Sequence, residues 1–306
     1  MSLINRRTLA GALFMSACAP AAFAQARRQA NLIEERESPY NTIYVVNDGP
    51  YIGMVFGINR RLFTESLYNP ADPRELPVTY TRYMTAALAY PTALTSILEI
   101  GLGGGRTAQY LSLHMPNLRL TSVELDPEVI ALAQRHFGVR QTARFTIVQR
   151  DGRMYLRQTP DRYDAIFVDA YRGTFVPFHL LTREFFQSAK RKLNPGGIVA
   201  QNIEPTTMLY DAAIATLRAV FRNVDTYQAD GNVVAIAYDG APKTIAQLRA
   251  RATALQSQYR FRHPIPALLA ARRVTPARVP GRVLTDDFAP VESLRAIERH
   301  NQRPGN

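Results

Sequence analysis

The sequence predicts an α/β protein: a doubly wound, mostly parallel sheet of seven strands, preceded by a small β-hairpin domain. Three observations predict it. From residue 96 onward, short apolar runs alternate with segments of helical spacing, joined by brief polar or Gly/Pro loops, as in successive βα units. The run 165–168 is apolar throughout, as a strand is when both faces of its sheet are covered. Earlier, Asn47-Asp48-Gly49-Pro50 stands between the apolar runs 42–47 and 51–57 and supplies hairpin turn chemistry.

The elements follow in order. Residues 1–24 read as an export signal: Arg6 and Arg7, an uncharged apolar stretch over 8–22, and Ala22-Phe23-Ala24 as a small-x-small cleavage site before Gln25. The expectation is a periplasmic or secreted protein. Arg6-Arg7-Thr8-Leu9 fits a twin-arginine signal, and the general secretory route fits equally. Met15-Ser16-Ala17-Cys18 resembles a lipoprotein box and leaves lipidation of Cys18 as the alternative. The apolar stretch is too short and too rich in small residues for a membrane span. Residues 25–38 are polar and read as a linker, and 39–75 form the hairpin domain, with Pro70, Pro73 and Pro77 breaking the chain near its end.

The α/β domain spans 76–242. Residues 80–90 have helical spacing and stop before Pro91. Strand 97–100 leads through a glycine loop into helix 107–114, and strand 118–123 leads into helix 127–137, with Asp126 as N-cap and Pro127 in the first turn. Strands follow at 145–149 and 165–168. Helix 182–193 is stopped by Asn194-Pro195-Gly196-Gly197, and strand 198–202 and helix 210–221 come next. Runs 224–228 and 232–238 read as a closing antiparallel pair. Residues 243–306 form a basic extension, helical at first and then irregular.

The glycine loop carries the first functional signal. Leu98-Glu99-Ile100-Gly101-Leu102-Gly103-Gly104-Gly105 sits where a strand ends and a helix begins. Gly101, Gly103 and Gly105 let the backbone turn tightly and approach a ligand, and the amides at the helix start favour its negative groups. Glu124 ends the next strand, 19 residues after Gly105, where an acid can bind both ribose hydroxyls. Three features point from a dinucleotide towards an S-adenosylmethionine-type ligand. Glu99 lies two residues before the first glycine, and Arg106 replaces the last fingerprint glycine. Asp151-Gly152 follows the third strand, where a carboxylate can accept from an adenine amino group, and Leu193-Asn194-Pro195-Gly196-Gly197 precedes the fifth strand. The fold expected is therefore the Rossmann-like fold of S-adenosylmethionine-dependent transferases.

Over roughly 40–238 the chain resembles the spermidine synthase (polyamine aminopropyltransferase) family, in a divergent exported branch. The residues that carry this are the hairpin, Gly101 to Gly105, Val123-Glu124-Leu125-Asp126-Pro127, Arg150-Asp151-Gly152 and Tyr163-Asp164-Ala165-Ile166-Phe167-Val168-Asp169-Ala170-Tyr171. Residues 176–186 and 284–292 look like a divergent, often membrane-linked branch. The resemblance implies transfer of an aminopropyl group from decarboxylated S-adenosylmethionine to a small amine, with no metal. It implies Asp169 as general base, Glu124 as ribose ligand and Asp151 as adenine ligand. Tyr80, Tyr171 and Arg172 are the substrate-binding candidates, and dimerisation among relatives suggests a homodimer.

The chain departs from the family pattern in three places. Gly104 stands where the loop usually has an aspartate that holds the donor's amine. Arg172 stands where a second acid usually follows the base, and Tyr80-Thr81 replaces a Tyr-Gln pair. Arg172 suits an anion such as the carboxylate of intact S-adenosylmethionine, so a methyltransferase on an unknown acceptor is one alternative, and a non-catalytic nucleoside- or polyamine-binding protein is another. Asp286 and Asp287 are candidates to fold over the site and replace the missing acids, against a plain reading as a turn or helix cap.

Composition removes other classes. Cys18 is the single cysteine, so there is no internal disulfide framework and no multi-cysteine zinc site. His114, His136, His179, His263 and His300 show no metal-ligand spacing, and His179 beside the active loop reads as a packing or helix-start residue before an acid or base. The net charge of +12 first suggests an anionic partner. Yet Arg6 and Arg7 belong to the signal, and residues 243–306 hold 12 basic against 4 acidic side chains, which leaves only about +2 on 25–242. No nucleic-acid partner is expected. The basic extension is suited to peripheral contact with anionic lipid or a partner, or to a solvated face.

Overall fold

In the computed structural model, the described residues are 31–58, 61–171, 176–207, 209–276 and 278–287. The expected export segment, with Cys18, lies outside them, and so does Arg172.

The described residues begin with a four-stranded antiparallel sheet: β1 (Leu32–Glu37), β2 (Thr42–Asp48), β3 (Tyr51–Ile58) and β4 (Arg61–Tyr68), in sequence order. The hairpin read from the sequence is its centre, with Asp48 opposite Tyr51 across the turn. β1 falls where a linker was expected. Its sequence, Leu-Ile-Glu-Glu-Arg-Glu, is charged and mostly exposed, so no apolar alternation marks it. It is held by its ladder to β2 and by Glu34, whose carboxylate receives Arg135 at 2.5 Å and His136 at 2.6 Å. β4 also went unmarked, because polar Thr64, Glu65 and Ser66 interrupt its pattern.

Helix α1 (Thr79–Ala86) leads into the second sheet. There the chain alternates β5 (Ser96–Ile100), α2 (Arg106–His114), β6 (Arg119–Glu124), α3 (Pro127–His136), β7 (Phe145–Gln149), α4 (Gly152–Gln158) and β8 (Tyr163–Val168). It continues with α5 (Arg183–Arg191), β9 (Leu193–Ile203), α6 (Tyr210–Val220), β10 (Asn223–Ala229) and β11 (Asn232–Tyr238), then α7 (Ile245–Tyr259), α8 (Ile265–Leu268) and β12 (Arg272–Val274). The strand order is β12-β10-β11-β9-β8-β5-β6-β7. β5 to β9 run parallel, and β10, β11 and β12 pair antiparallel.

Among the described residues this sheet has eight strands where the sequence predicts seven. The added one, β12, is three residues long and too short to read from a pattern; it pairs with β10 through Asp225, Thr226 and Tyr227. It comes from the basic extension, which is thus partly built into the fold. Leu248, Ala252, Leu255, Phe261, Ile265 and Leu269 of that segment are buried in the core. Helix α4 is a single short element opened by Asp151, and α5 ends at Arg191, so β9 already includes Asn194-Pro195-Gly196-Gly197.

Helices cover both faces. One face buries Tyr110, Leu111, Leu132 and Phe137 with the tail residues, and the other buries Leu156, Phe185, Phe186, Ala213 and Leu217. The chain runs outward from β5 through β6 to β7 and returns to β8 on the other side of β5. At such a reversal, loops from neighbouring strand ends diverge and leave a crevice beyond the carboxyl ends.

Candidate active site

The crevice at the ends of β5 and β8 holds most of the residues singled out in the sequence. Gly101 leaves β5 at φ +91°, and the Asp169 amide donates to Ile100 O at 2.8 Å. A Cβ on Gly101 would stand 2.2 Å from the Asp169 carbonyl oxygen, so only glycine allows the two strand ends to meet. The Asp169 carboxyl points into the cavity. Asn202, near the end of β9, donates from Nδ2 to its Oδ1 at 2.9 Å, and Asn232 donates in turn to Asn202 Oδ1 at 3.1 Å. The Tyr80 hydroxyl lies within hydrogen-bonding reach of Asp169. Burial pushes the Asp169 carboxyl up to about 6, against the opposing pull of Asn202 and Tyr80.

The glycine loop is fixed from two sides. The Leu102 amide donates to Glu124 Oε2 at 2.8 Å, and the Leu125 and Asp126 amides donate to Oε1 at 2.7 and 3.0 Å. Burial raises the Glu124 carboxyl, and these amides oppose the rise. On the other side, the Gly104 amide donates to Ser66 Oγ of β4 at 2.9 Å. A Cβ on Gly104 would lie 2.6 Å from Ser66 Cβ and 2.9 Å from a Phe137 ring carbon. The N-terminal sheet therefore packs directly on this loop and leaves no room for an acidic side chain at 104. Behind the loop, Glu99 accepts from Ser122 Oγ at 2.5 Å, and burial pushes its carboxyl up to about 8.

Asp151 caps α4, with Oδ1 accepting from the Met154 amide at 2.8 Å, and its Oδ2 lies 3.2 Å from His179 Nε2. The His179 hydrogen bond chiefly holds Asp151 below the usual carboxylate range. His179 is exposed at the cavity rim and is tied to a site carboxylate, a role beyond packing. Tyr80 and Tyr171 line the same cavity, and burial raises both hydroxyls well above the ordinary tyrosine value. Asp286 does not close the site. Its carboxylate is engaged by the Arg153 guanidinium and its amide donates to Glu184 Oε2 at 3.0 Å, outside the cavity lining.

The cavity, about 160 Å³, thus joins Gly101, Gly103, Glu124, Asp151, Asp169, Tyr80 and Tyr171. Gly105 stands just behind it as the left-handed N-cap of α2, at φ +62°. The N-terminal sheet adds a wall that the sequence reading missed: Phe56, Glu65 and Ser66. Its described lining has six carboxylates (Glu65, Glu99, Glu124, Asp126, Asp151, Asp169) against Arg106 and His179. Arg106 is turned away: Nη1 donates to Phe137 O at 2.8 Å and Nη2 to Pro73 O at 2.6 Å, with the guanidinium 4.5 Å over the Tyr68 ring. Among the described residues, acids predominate around Asp169. Among the described residues, no group of three or more His, Cys, Asp or Glu side chains is arranged to hold a metal ion. No described helix is long and apolar enough to cross a membrane.

Known proteins similar to this chain share its family and its fold. The family model described as the spermine/spermidine synthase domain matches residues 80–236. A polyamine aminopropyltransferase of Vibrio vulnificus is 31% identical over 279 residues, which is 87% of this chain and 92% of the relative. The crystal structure of a probable spermidine synthase from Corynebacterium glutamicum superposes with a TM-score of 0.65 at 21% identity, covering 84% of this chain and 97% of that one. Human methyltransferase-like protein 13, in complex with SAH, has the same kind of fold: TM-score 0.55 and 22% identity, covering 70% of this chain and 99% of that one.

Proposed function

This chain belongs to the spermine/spermidine synthase family, and from that premise we propose that it moves an aminopropyl group from decarboxylated S-adenosylmethionine to a polyamine acceptor, with Asp169 as general base. As a member it is a transferase of the polyamine aminopropyltransferase kind. The observation that carries the finer reading is the acid-rich cavity that ends at Asp169. A donor with a sulfonium and an ammonium, and no carboxylate, gains from that environment. The carboxylate of intact S-adenosylmethionine would instead enter a described lining in which acids outnumber bases, an unfavourable setting for a further anion.

The residues divide the work as follows. The backbone of Gly101, Gly103 and Gly105 and the Glu124 carboxylate hold the nucleoside, with Glu124 on the ribose hydroxyls and Asp151 towards the adenine amino group. Tyr80 and Tyr171 flank the reacting end. An acceptor amine arrives as an ammonium with no free lone pair, so Asp169 must take a proton before the nitrogen can attack the carbon beside sulfur. A carboxyl raised to about 6 is a stronger base than an ordinary aspartate and is still ionised near neutral pH. Asn202 and Tyr80 fix its orientation, so base and acceptor meet in line with the leaving group.

Isothermal titration with decarboxylated and intact S-adenosylmethionine tests this reading. It expects tighter binding of the decarboxylated donor. Preference for the intact one would favour methyl transfer, and tight donor binding with no turnover of any amine would favour a binding protein. Export is part of the proposal, supported by Arg6, Arg7 and the Ala22-Phe23-Ala24 sequence. Sequencing the N-terminus of the protein recovered from its native cell would find Gln25, or lipidated Cys18; an intact Met1 would count against export.

A further inference from the structure

Of the cavity carboxylates without a role in the chemistry described so far, Glu65 is the one with a buried oxygen that lacks a hydrogen-bond partner. Glu65 lies in β4, where the register with β3 shifts: Met54 faces Ser66 and Val55 faces Thr64, leaving Glu65 as the unpaired residue of a β-bulge. A bulge turns a side chain out of the ladder's alternation. Here the turned side chain lines the cavity, while the next residue, Ser66, accepts the Gly104 amide. Glu65 Oε1 is closed off from solvent and finds no hydrogen-bond partner. A shielded, unpaired carboxylate oxygen is costly, and folded proteins keep few of them.

The surroundings make the mismatch one of charge. Arg106 spends its guanidinium on Phe137 O and Pro73 O, and His179 pairs with Asp151. Asp169 and Glu204 face Glu65 electrostatically and are themselves acids. Burial, reinforced by those two charges, pushes the Glu65 carboxyl up to about 8. Among the described residues no basic side chain pairs with Glu65, so a cation that enters with the ligand would complete the cavity. We propose that Glu65 holds the terminal ammonium of the donor's aminopropyl arm. The arm leaves the nucleoside at the glycine loop, and Glu65 sits beside that loop through Ser66 and Gly104, so the side chain from β4 supplies the acid that Gly104 has no space to carry. This rests on the aminopropyl-transfer reading above.

Calorimetry with two probes tests it: decarboxylated S-adenosylmethionine, which has the ammonium, and methylthioadenosine, which has the same nucleoside without it. In Glu65→Gln, decarboxylated donor should bind about tenfold to a hundredfold more weakly, as for loss of a charged hydrogen bond. Methylthioadenosine should bind as in the wild type, which also reports that the variant is folded. Titration in two buffers of different ionisation enthalpy should show that the wild type releases a proton on binding the donor near neutral pH. Glu65→Gln should release less, and Glu65→Asp should recover part of the preference for the donor. Equal weakening of both probes, or a donor affinity unchanged in Glu65→Gln, overturns the assignment of Glu65 alone. A wild type that prefers intact S-adenosylmethionine, or binds neither probe, overturns the aminopropyl reading and this inference with it.

Discussion

The backbones of Gly101 and Asp169 touch: there is 2.2 Å between the place of a Cβ on Gly101 and the Asp169 carbonyl oxygen. The loop proposed to receive the nucleoside and the acid proposed as base are therefore one rigid unit at the ends of β5 and β8. Gly101→Ala must move the Asp169 peptide and also occupy φ +91°, a strain of about 1–3 kcal/mol before the clash is counted. The expected outcome is a lower thermal midpoint by circular dichroism together with loss of methylthioadenosine binding by calorimetry. Wild-type values for both would mean that the strand ends are not coupled.

Asp169→Asn keeps the shape of the side chain and removes the proposed base. Turnover should fall by about 10²–10⁴-fold, the usual contribution of a positioned base. Methylthioadenosine affinity should stay close to wild type. Unchanged turnover would sink the assignment.

The pH dependence follows from the same group. Asp169 must be ionised to accept a proton, and burial holds its carboxyl at about 6. The rate at limiting substrate should therefore rise with pH through that value. In Asn202→Ala, the hydrogen bond that lowers the Asp169 value is gone, so the rising limb should shift to higher pH. A limb that stays in place would show that Asn202 does not act through Asp169.

Stability should show the opposite trend from these buried acids. Glu65 and Glu99 sit at about 8 in the fold, well above the unfolded value of 4.5. Between those limits the folded state binds more protons than the unfolded one, so their contribution to stability falls as pH rises. Glu65→Gln removes one such group. Its thermal midpoint should decline less than that of the wild type between pH 6 and pH 9, as measured by differential scanning calorimetry. Parallel declines would place Glu65 in a solvated setting.

The basic extension is tied in by Arg272, whose Nε donates to Asp225 Oδ2 at 2.9 Å and whose Nη2 lies 2.8 Å from the same oxygen. Their side chains are 9% and 1% exposed, and Tyr90 also donates to that carboxylate at 2.9 Å. Arg272→Ala leaves a buried charge short of its partner and should cost about 3–5 kcal/mol in denaturant unfolding. Arg272→Met with Asp225→Asn removes both charges and should recover much of that loss.

What could be read from the sequence follows from what each residue is positioned by. Gly101, Glu124, Asp151 and Asp169 each lie at the carboxyl end of a strand of a regular βα series, so strand order alone assembles them. Glu65 does not, because its place depends on a one-residue register shift between β3 and β4, and no pattern in a polar strand announces a bulge. Asn202 and Asn232 lie in strands whose polar members look like interruptions until their partners are known. β1 is too charged and β12 too short to mark themselves. For Asp286, offered as a lid acid against a plainer turn or cap reading, the sequence says nothing about Arg153, which claims it. The missing acid at 104 was visible, but the replacement proposed for it lies in a sheet whose packing was not.

The most direct test is mass spectrometry of the products formed by the purified protein with decarboxylated S-adenosylmethionine, intact S-adenosylmethionine and a mixture of amines. The account predicts an amine enlarged by one aminopropyl group, with methylthioadenosine released, only from the decarboxylated donor and not with Asp169→Asn. A methylated product from the intact donor, or no product from either, would contradict it.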